Sequence, residues 1–197
     1  MIMNKSENDF QSALELLLHL KEKNGFDINS PIDVDKIATE LGIYVESDFS
    51  LESKDIIGEI FFKEENPIIK INPIQNFYNP RRRFTIAHEI GHYCLHSAKS
   101  KKGFVDSQKT MSRTQSYWDI YESEANNFAV QLLMPKFLVI EDGQKVIDEY
   151  REKTGDNGIP VNVFIESMAK KFDVSSKAIE YRLKNIGIIK QPNNEPA

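Results

Sequence analysis

The sequence predicts an α+β fold, mainly helical, with a small mixed or antiparallel sheet and a short C-terminal helical extension. Three observations lead there. Apolar residues recur at helical spacing in several long segments, Phe10 to Leu20 and Trp118 to Leu133 above all. Two β-branched and aromatic runs, Asp55–Lys63 and Pro67–Asn72, flank the polar Glu64-Glu65-Asn66 as a hairpin would. A third helical stretch, about Arg81 to His96, carries three histidines and a glutamate in its last nine residues.

Taken in order, Phe10, Ala13, Leu14, Leu17 and Leu18 give the first helix its apolar face, and Gly25 follows as a stop. Ser30-Pro31 and Asp33 start a short helix from about Val34 to Leu41, which Gly42 ends. Ile43-Tyr44-Val45 then reads as a strand, ahead of the hairpin. Pro80 fits the first position of the next helix, because its missing N–H has no partner to lose there. Residues 97–116 are polar and aperiodic, with five basic side chains against Asp106, and read as a loop. Further helices follow over Lys136–Lys153, Val161–Phe172 and Ser175–Asn185. Gly155 to Pro160 is the most linker-like stretch, so the expected organisation is a domain over 1–155, a helical extension over 156–190 and a tail over 191–197.

Composition excludes several classes of protein. With 30 acidic against 25 basic residues the chain carries a net charge of −5, so it has no global attraction for nucleic acid or anionic lipid. Cys94 is the only cysteine, which rules out an intrachain disulfide and a four-thiolate metal site and suits a reducing compartment. No run of eighteen apolar residues and no signal-like N-terminus is visible, so a cytoplasmic protein without membrane contact is expected.

The chemistry concentrates in His88-Glu89-Ile90-Gly91-His92, an HExxH sequence inside the third helix. Side chains four apart lie about 6 Å along the axis and about 40° round it, so both imidazoles project from one face. Each can then reach a zinc ion at about 2.0–2.1 Å without bending the backbone. Glu89 lies about 100° away, placed to act as general base on a water such an ion activates rather than to bind the ion.

A catalytic zinc needs three protein ligands and an open position. His96 is a poor third ligand, since three imidazoles at i, i+4 and i+8 drift by about 80° over about 12 Å of rise. His19 sits among leucines and reads as a boundary residue. A carboxylate is therefore expected from the helix beginning near Trp118, which offers Asp119, Glu122 and Glu124. Glu124 borders the apolar stripe of Ala125, Phe128, Ala129, Leu132 and Leu133, where an inward carboxylate needs a partner. Glu122 stands as the alternative.

The run RRRFTIAHEIGHYCLH (Arg81 to His96), followed after 27 residues by EANNFAVQLLMP (Glu124 to Pro135), resembles the ImmA/IrrE-type metallopeptidases. That family writes these helices as RFTxAHExGHxxLH and EAxxFAxxLLMP. The resemblance implies a zincin-like domain in which His88, His92 and Glu124 bind Zn2+ and Glu89 is the base. It also implies an endopeptidase that holds an extended substrate at a sheet edge, with a helix-turn-helix repressor or an antitoxin as the protein partner.

Other residues are weighed beside it. Arg81, Arg82 and Arg83 oppose the helix dipole at a helix start, which calls for specific partners. Cys94 reads as a buried small apolar residue, and Tyr117 and Tyr121 as core residues with an oxyanion donor as the sharper option. Phe164 to Ile188 looks like a helix-turn-helix turning at Phe172–Ser175, which would offer Ser176, Lys177 and Tyr181 to a DNA groove. The six basic against three acidic residues over 161–190 make a modest charge for that role, and packed helices that dock a protein are the reading preferred over DNA. Two readings thus stand beside the protease: a metal-binding interaction module that docks a repressor without cutting it, and a DNA-binding regulator.

Overall fold

In the computed structural model, residues 10–64, 66–96, 104–107 and 118–190 are described. Tyr117 and the tail expected over 191–197 lie outside them. The helices are α1 (Ala13–Asn24), α2 (Val34–Glu40), α3 (Asn79–His96), α4 (Trp118–Leu133), α5 (Lys136–Thr154), α6 (Val161–Phe172) and α7 (Ser176–Asn185). The strands are β1 (Tyr44–Ser47), β2 (Ile56–Lys63), β3 (Asn66–Ile71) and β4 (Phe104–Ser107). This is the mainly helical α+β architecture that the periodicities predict. Among the described residues no helix is long and apolar enough to cross a membrane.

The caps follow the sequence signals. Ser12 accepts from the Glu15 amide and Asp33 from the Lys36 amide, each satisfying an N–H that the first helical turn leaves without an intrahelical acceptor. Gly25 ends α1 in the left-handed conformation at φ 64°, where a Cβ would be strained.

The sheet runs β1-β3-β2-β4. β1 is parallel to β3, with Tyr44 opposite Ile68, while β2 is antiparallel to both β3 and β4. The hairpin therefore forms as expected but lies inside the sheet and offers no free edge. Of the flanking strands, β1 takes in the Tyr44-Val45 read from the sequence, whereas β4 escapes a local reading. β4 is four residues long within a polar run, and it exists because Phe104 pairs with Ile60 far upstream. Opposite it, β2 is irregular between Ile56 and Gly58.

By contacts the chain divides into two compact units, 1–28 with 32–133, and 29–31 with 134–197. In the first, α3 is enclosed from Thr85 to Cys94, packed between the sheet and α4. Burial on every side accounts for a helix whose sequence shows no simple polar face. Two of its arginines find specific partners. Arg82 makes two hydrogen bonds to the Asp35 carboxylate at 2.8 and 2.7 Å, and buried Arg83 donates to the Ile32 carbonyl at 2.9 Å. The charge-assisted bond from Arg82 is the leading reason the Asp35 carboxyl sits below its ordinary pKa.

The second unit is helical. Its boundary at Leu133/Met134 differs from the one expected near 155, because α5 packs on α6 rather than closing the first unit. At Gly143 a Cβ would lie 3.3 Å from the Phe164 ring, and the buried Asp142 accepts from Ser30 at 2.6 Å. The exposed stretch 155–160 joins two helices of this one unit. α6 turns into α7 through Asp173 at φ 49°, and Ser175 caps α7 by accepting from the Ala178 amide. The turn expected at Phe172–Ser175 is thus formed, and Arg182 ties α7 back to the Met134 carbonyl at 3.0 Å.

Candidate metal centre

α3 is fixed to the sheet by one buried hydrogen-bond network. Asn76 donates to the Ile57 and Asn72 carbonyls at 2.9 and 2.8 Å, and its own oxygen accepts from the Thr85 hydroxyl at 2.7 Å. This holds the first half of α3 against β2 at Gly58. A Cβ there would stand 2.6 Å from Thr85 Cγ2 and 3.1 Å from Glu89 Oε1, so only glycine permits the approach. Glu89 is fully buried with its carboxylate against that glycine.

The opposite face of α3 meets α4 with similar closeness. A Cβ at Gly91 would lie 3.1 Å from the Ala125 carbonyl oxygen and 3.2 Å from Phe128 Cβ. Small residues on both helices thus let the backbones approach, and α4 brings its carboxylates to the histidines.

His88 and His92 face each other with Nε2 atoms 3.0 Å apart. The acid that joins them is Glu122, with Oε2 3.3 Å from His88 Nε2 and Oε1 3.2 Å from His92 Nε2. Glu124, the third ligand implied by the resemblance, is not brought to the imidazole pair. It is half exposed and meets His96 Nε2 at 2.9 Å. The reason is the rotation of α4. Its contact row runs through Ala129, Asn126 and Ala125, and one further turn back reaches Glu122, about 200° from Glu124. Extending the apolar stripe by one turn toward the N-terminus would have pointed to this residue.

The surrounding contacts complete the cluster. Asn126 Oδ1 lies 3.1 Å from His88 Nδ1, a partner that sequence reasoning missed. His92 Nδ1 lies 3.1 Å from His96 Nδ1, so His96 joins the site through His92 rather than at its centre. Tyr121 packs edge-on against the His96 ring with centroids 4.6 Å apart. Cys94 is buried, as expected.

The three donors suit a metal ion. A tetrahedral zinc with bonds of about 2.0–2.1 Å spaces its ligand atoms about 3.3 Å apart. The imidazole edge of 3.0 Å comes within a few tenths of that, and each imidazole has a different Glu122 oxygen nearest it, Oε2 at 3.3 Å from His88 and Oε1 at 3.2 Å from His92. Two imidazole nitrogens and one carboxylate are also a donor set that zinc accepts with a position to spare. Electrostatics agree. Burial pushes the His92 imidazole down to about 4, helped by neighbouring His88 and His96 and opposed by Glu122, so it is neutral and able to donate a lone pair at pH 7. Burial would raise the Glu122 carboxyl, but hydrogen bonds from His88 and His92 outweigh it and hold the group at about 2. Among the described residues, one ligand atom each of His88, His92 and Glu122 lies within 4.8 Å of the others, and Glu89 is not in that group.

Comparison with known proteins matches the chain to a family. An uncharacterised immunity region protein of Bacillus phage phi105 is 31% identical over 124 residues, 63% of this chain and 66% of that protein, so the match spans just under two thirds of the relative. A Mycobacterium tuberculosis transcriptional regulator aligns over 94% of this chain and 43% of its own length, at 14% identity and a TM-score of 0.44, a partial likeness that carries no functional weight. Residues 38–184 match the IrrE N-terminal-like domain (Peptidase M78), a span that covers the HExxH helix, α4 and the C-terminal helices. The chain belongs to this IrrE N-terminal-like family of peptidases.

Proposed function

We propose that the protein is a zinc-dependent endopeptidase in which His88, His92 and Glu122 hold the metal and Glu89 is the catalytic base. The observation that carries this is the meeting of two HExxH imidazoles with a carboxylate from a second helix, beside a buried glutamate that is not itself in the cluster. Zinc, when bound, supplies Lewis acidity that polarises a peptide carbonyl and eases deprotonation of water. Glu89 takes that proton and delivers it to the leaving amine as the peptide bond breaks.

For the substrate, a helix-turn-helix repressor or antitoxin in the cytoplasm is the proposal, supported by the phage immunity region relative. With β2 and β3 both inside the sheet, an extended substrate would pair with β1 or β4. α6 and α7 are assigned to protein docking in preference to DNA.

The test is a Glu89→Gln variant, assayed by elemental analysis and by mass spectrometry of repressor proteins incubated with it. Zinc is expected to stay near one equivalent while wild-type cleavage products disappear. Cleavage that persists in Glu89→Gln, or zinc content unaffected by Glu122→Ala, refutes the assignment. A repressor bound and left intact by the zinc-loaded wild type would instead favour an interaction module.

A further inference from the structure

We propose that Glu124 and His96 are positioning residues: a two-member relay that fixes the tautomer and ring orientation of His92 so that its Nε2 lone pair faces the metal. This rests on the zinc reading above and concerns two side chains outside the ligand set.

The argument follows the protons outward to inward. Glu124 lies within 2.9 Å of His96 Nε2, and an ionised carboxylate only accepts hydrogen bonds, so His96 carries its proton on Nε2. A neutral imidazole has one N–H, which makes His96 Nδ1 an acceptor. That atom is 3.1 Å from His92 Nδ1, so a His92 whose Nε2 lone pair binds the metal donates its remaining proton, on Nδ1, to His96. Without the metal, Glu122 lies 3.2 Å from His92 Nε2 and competes for the same proton, so the relay acts by favouring the metal-binding tautomer against that pull.

Packing fixes the relay in place. His96 is fully buried, and Tyr121 lies edge-on to its ring, limiting rotation of the imidazole plane. His88 receives the same service from one residue, since Asn126 Oδ1 accepts from His88 Nδ1 at 3.1 Å. The two metal-facing histidines are therefore set by different means, one through an amide and one through a histidine–carboxylate pair. Outer partners of this kind typically change metal affinity by about 10–100-fold when removed. Glu124 also has the exposure of a residue that can be altered without disturbing the core.

The experiment compares wild type, Glu124→Ala, Glu124→Gln and Glu122→Ala in zinc competition against a chelating dye. The His92 tautomer is read by 15N NMR on the metal-free proteins. Glu124→Ala should weaken zinc by about 10–100-fold and shift metal-free His92 from the Nδ1–H toward the Nε2–H form. Glu124→Gln should restore both, because its amide oxygen still accepts from His96. Unchanged affinity and tautomer in Glu124→Ala overturn the relay. Complete loss of zinc in both Glu124 variants also overturns it, by making that residue a ligand. If wild type itself binds no zinc, the metalloenzyme reading fails and the relay with it. If Glu122→Ala abolishes binding while Glu124→Ala is indifferent, the relay alone fails.

Discussion

The glycine beneath the buried glutamate gives the sharpest test of how α3 is seated. In Gly58→Ala the new methyl would lie 2.6 Å from Thr85 Cγ2, roughly an ångström inside ordinary carbon–carbon contact. Two escapes exist. The sheet can shift off α3, an overpacking cost of about 1–3 kcal/mol. Alternatively Thr85 can rotate, but its hydroxyl then leaves Asn76, and abandoning a buried hydrogen bond costs about 1–3 kcal/mol as well. Replacing glycine by alanine within a strand returns about 0.5–1 kcal/mol through backbone entropy. The expected net loss is about 1–2 kcal/mol, measured as a shift in urea midpoint at constant slope. Thr85→Ser removes Cγ2 and keeps the hydroxyl, so the double variant should recover most of the loss on the Thr85→Ser background. A neutral Gly58→Ala, or a loss that Thr85→Ser leaves untouched, refutes the close contact as the reason for glycine. Because Glu89 Oε1 lies 3.1 Å from the same methyl position, Gly58→Ala should also reduce cleavage beyond its effect on folding.

Two further outcomes are expected. Gly91→Ala should push α4 away by a few tenths of an ångström at Ala125, trading about 1 kcal/mol of helix propensity for about 1–3 kcal/mol of overpacking. Zinc affinity should fall with it as Glu122 moves; tight zinc binding in a fully stable Gly91→Ala would contradict the helix crossing. In the metal-free protein the depressed His92 makes stability acid-sensitive. Folded His92 takes a proton only near pH 4 while the unfolded group takes one near 6.5, so stability declines as pH falls through that window, by on the order of 3 kcal/mol in all. Glu122, held at about 2 against an ordinary 4.5, extends the decline below pH 4.5. Urea midpoints on chelator-treated protein between pH 7.5 and 4.5 should show the slope in wild type and lose most of it in His92→Asn.

What could be read from the sequence divides by the range of the interaction. His88 and His92 were legible because four residues on a helix fix their geometry without reference to anything else. The hairpin and the cap at Asp33 are local in the same sense. Glu122 was not legible with equal force, because its claim over Glu124 depends on how α4 is rotated, and that is set where Ala125 meets Gly91. The strand at Phe104–Ser107 depends on pairing with residues more than forty positions earlier, so polar neighbours concealed it. The short 3-10 turn at Phe49–Lys54 gave no periodic signal at all, although Asp48 caps it by accepting from the Ser50 amide. The grouping of α5 with the later helices likewise rests on tertiary packing at Gly143.

Two nitrogens of the centre come from a single helical turn, yet the oxygen arrives from another helix thirty positions along the chain. An ion captured there would clasp two segments that an unfolded polypeptide keeps apart, so it would bind the native form far more tightly than the denatured one. At a hundred times its dissociation constant such a ligand adds about 2.7 kcal/mol to folding. Metal supply would then govern how long the polypeptide survives cellular proteolysis, and scarcity would remove the molecule itself as well as its catalysis.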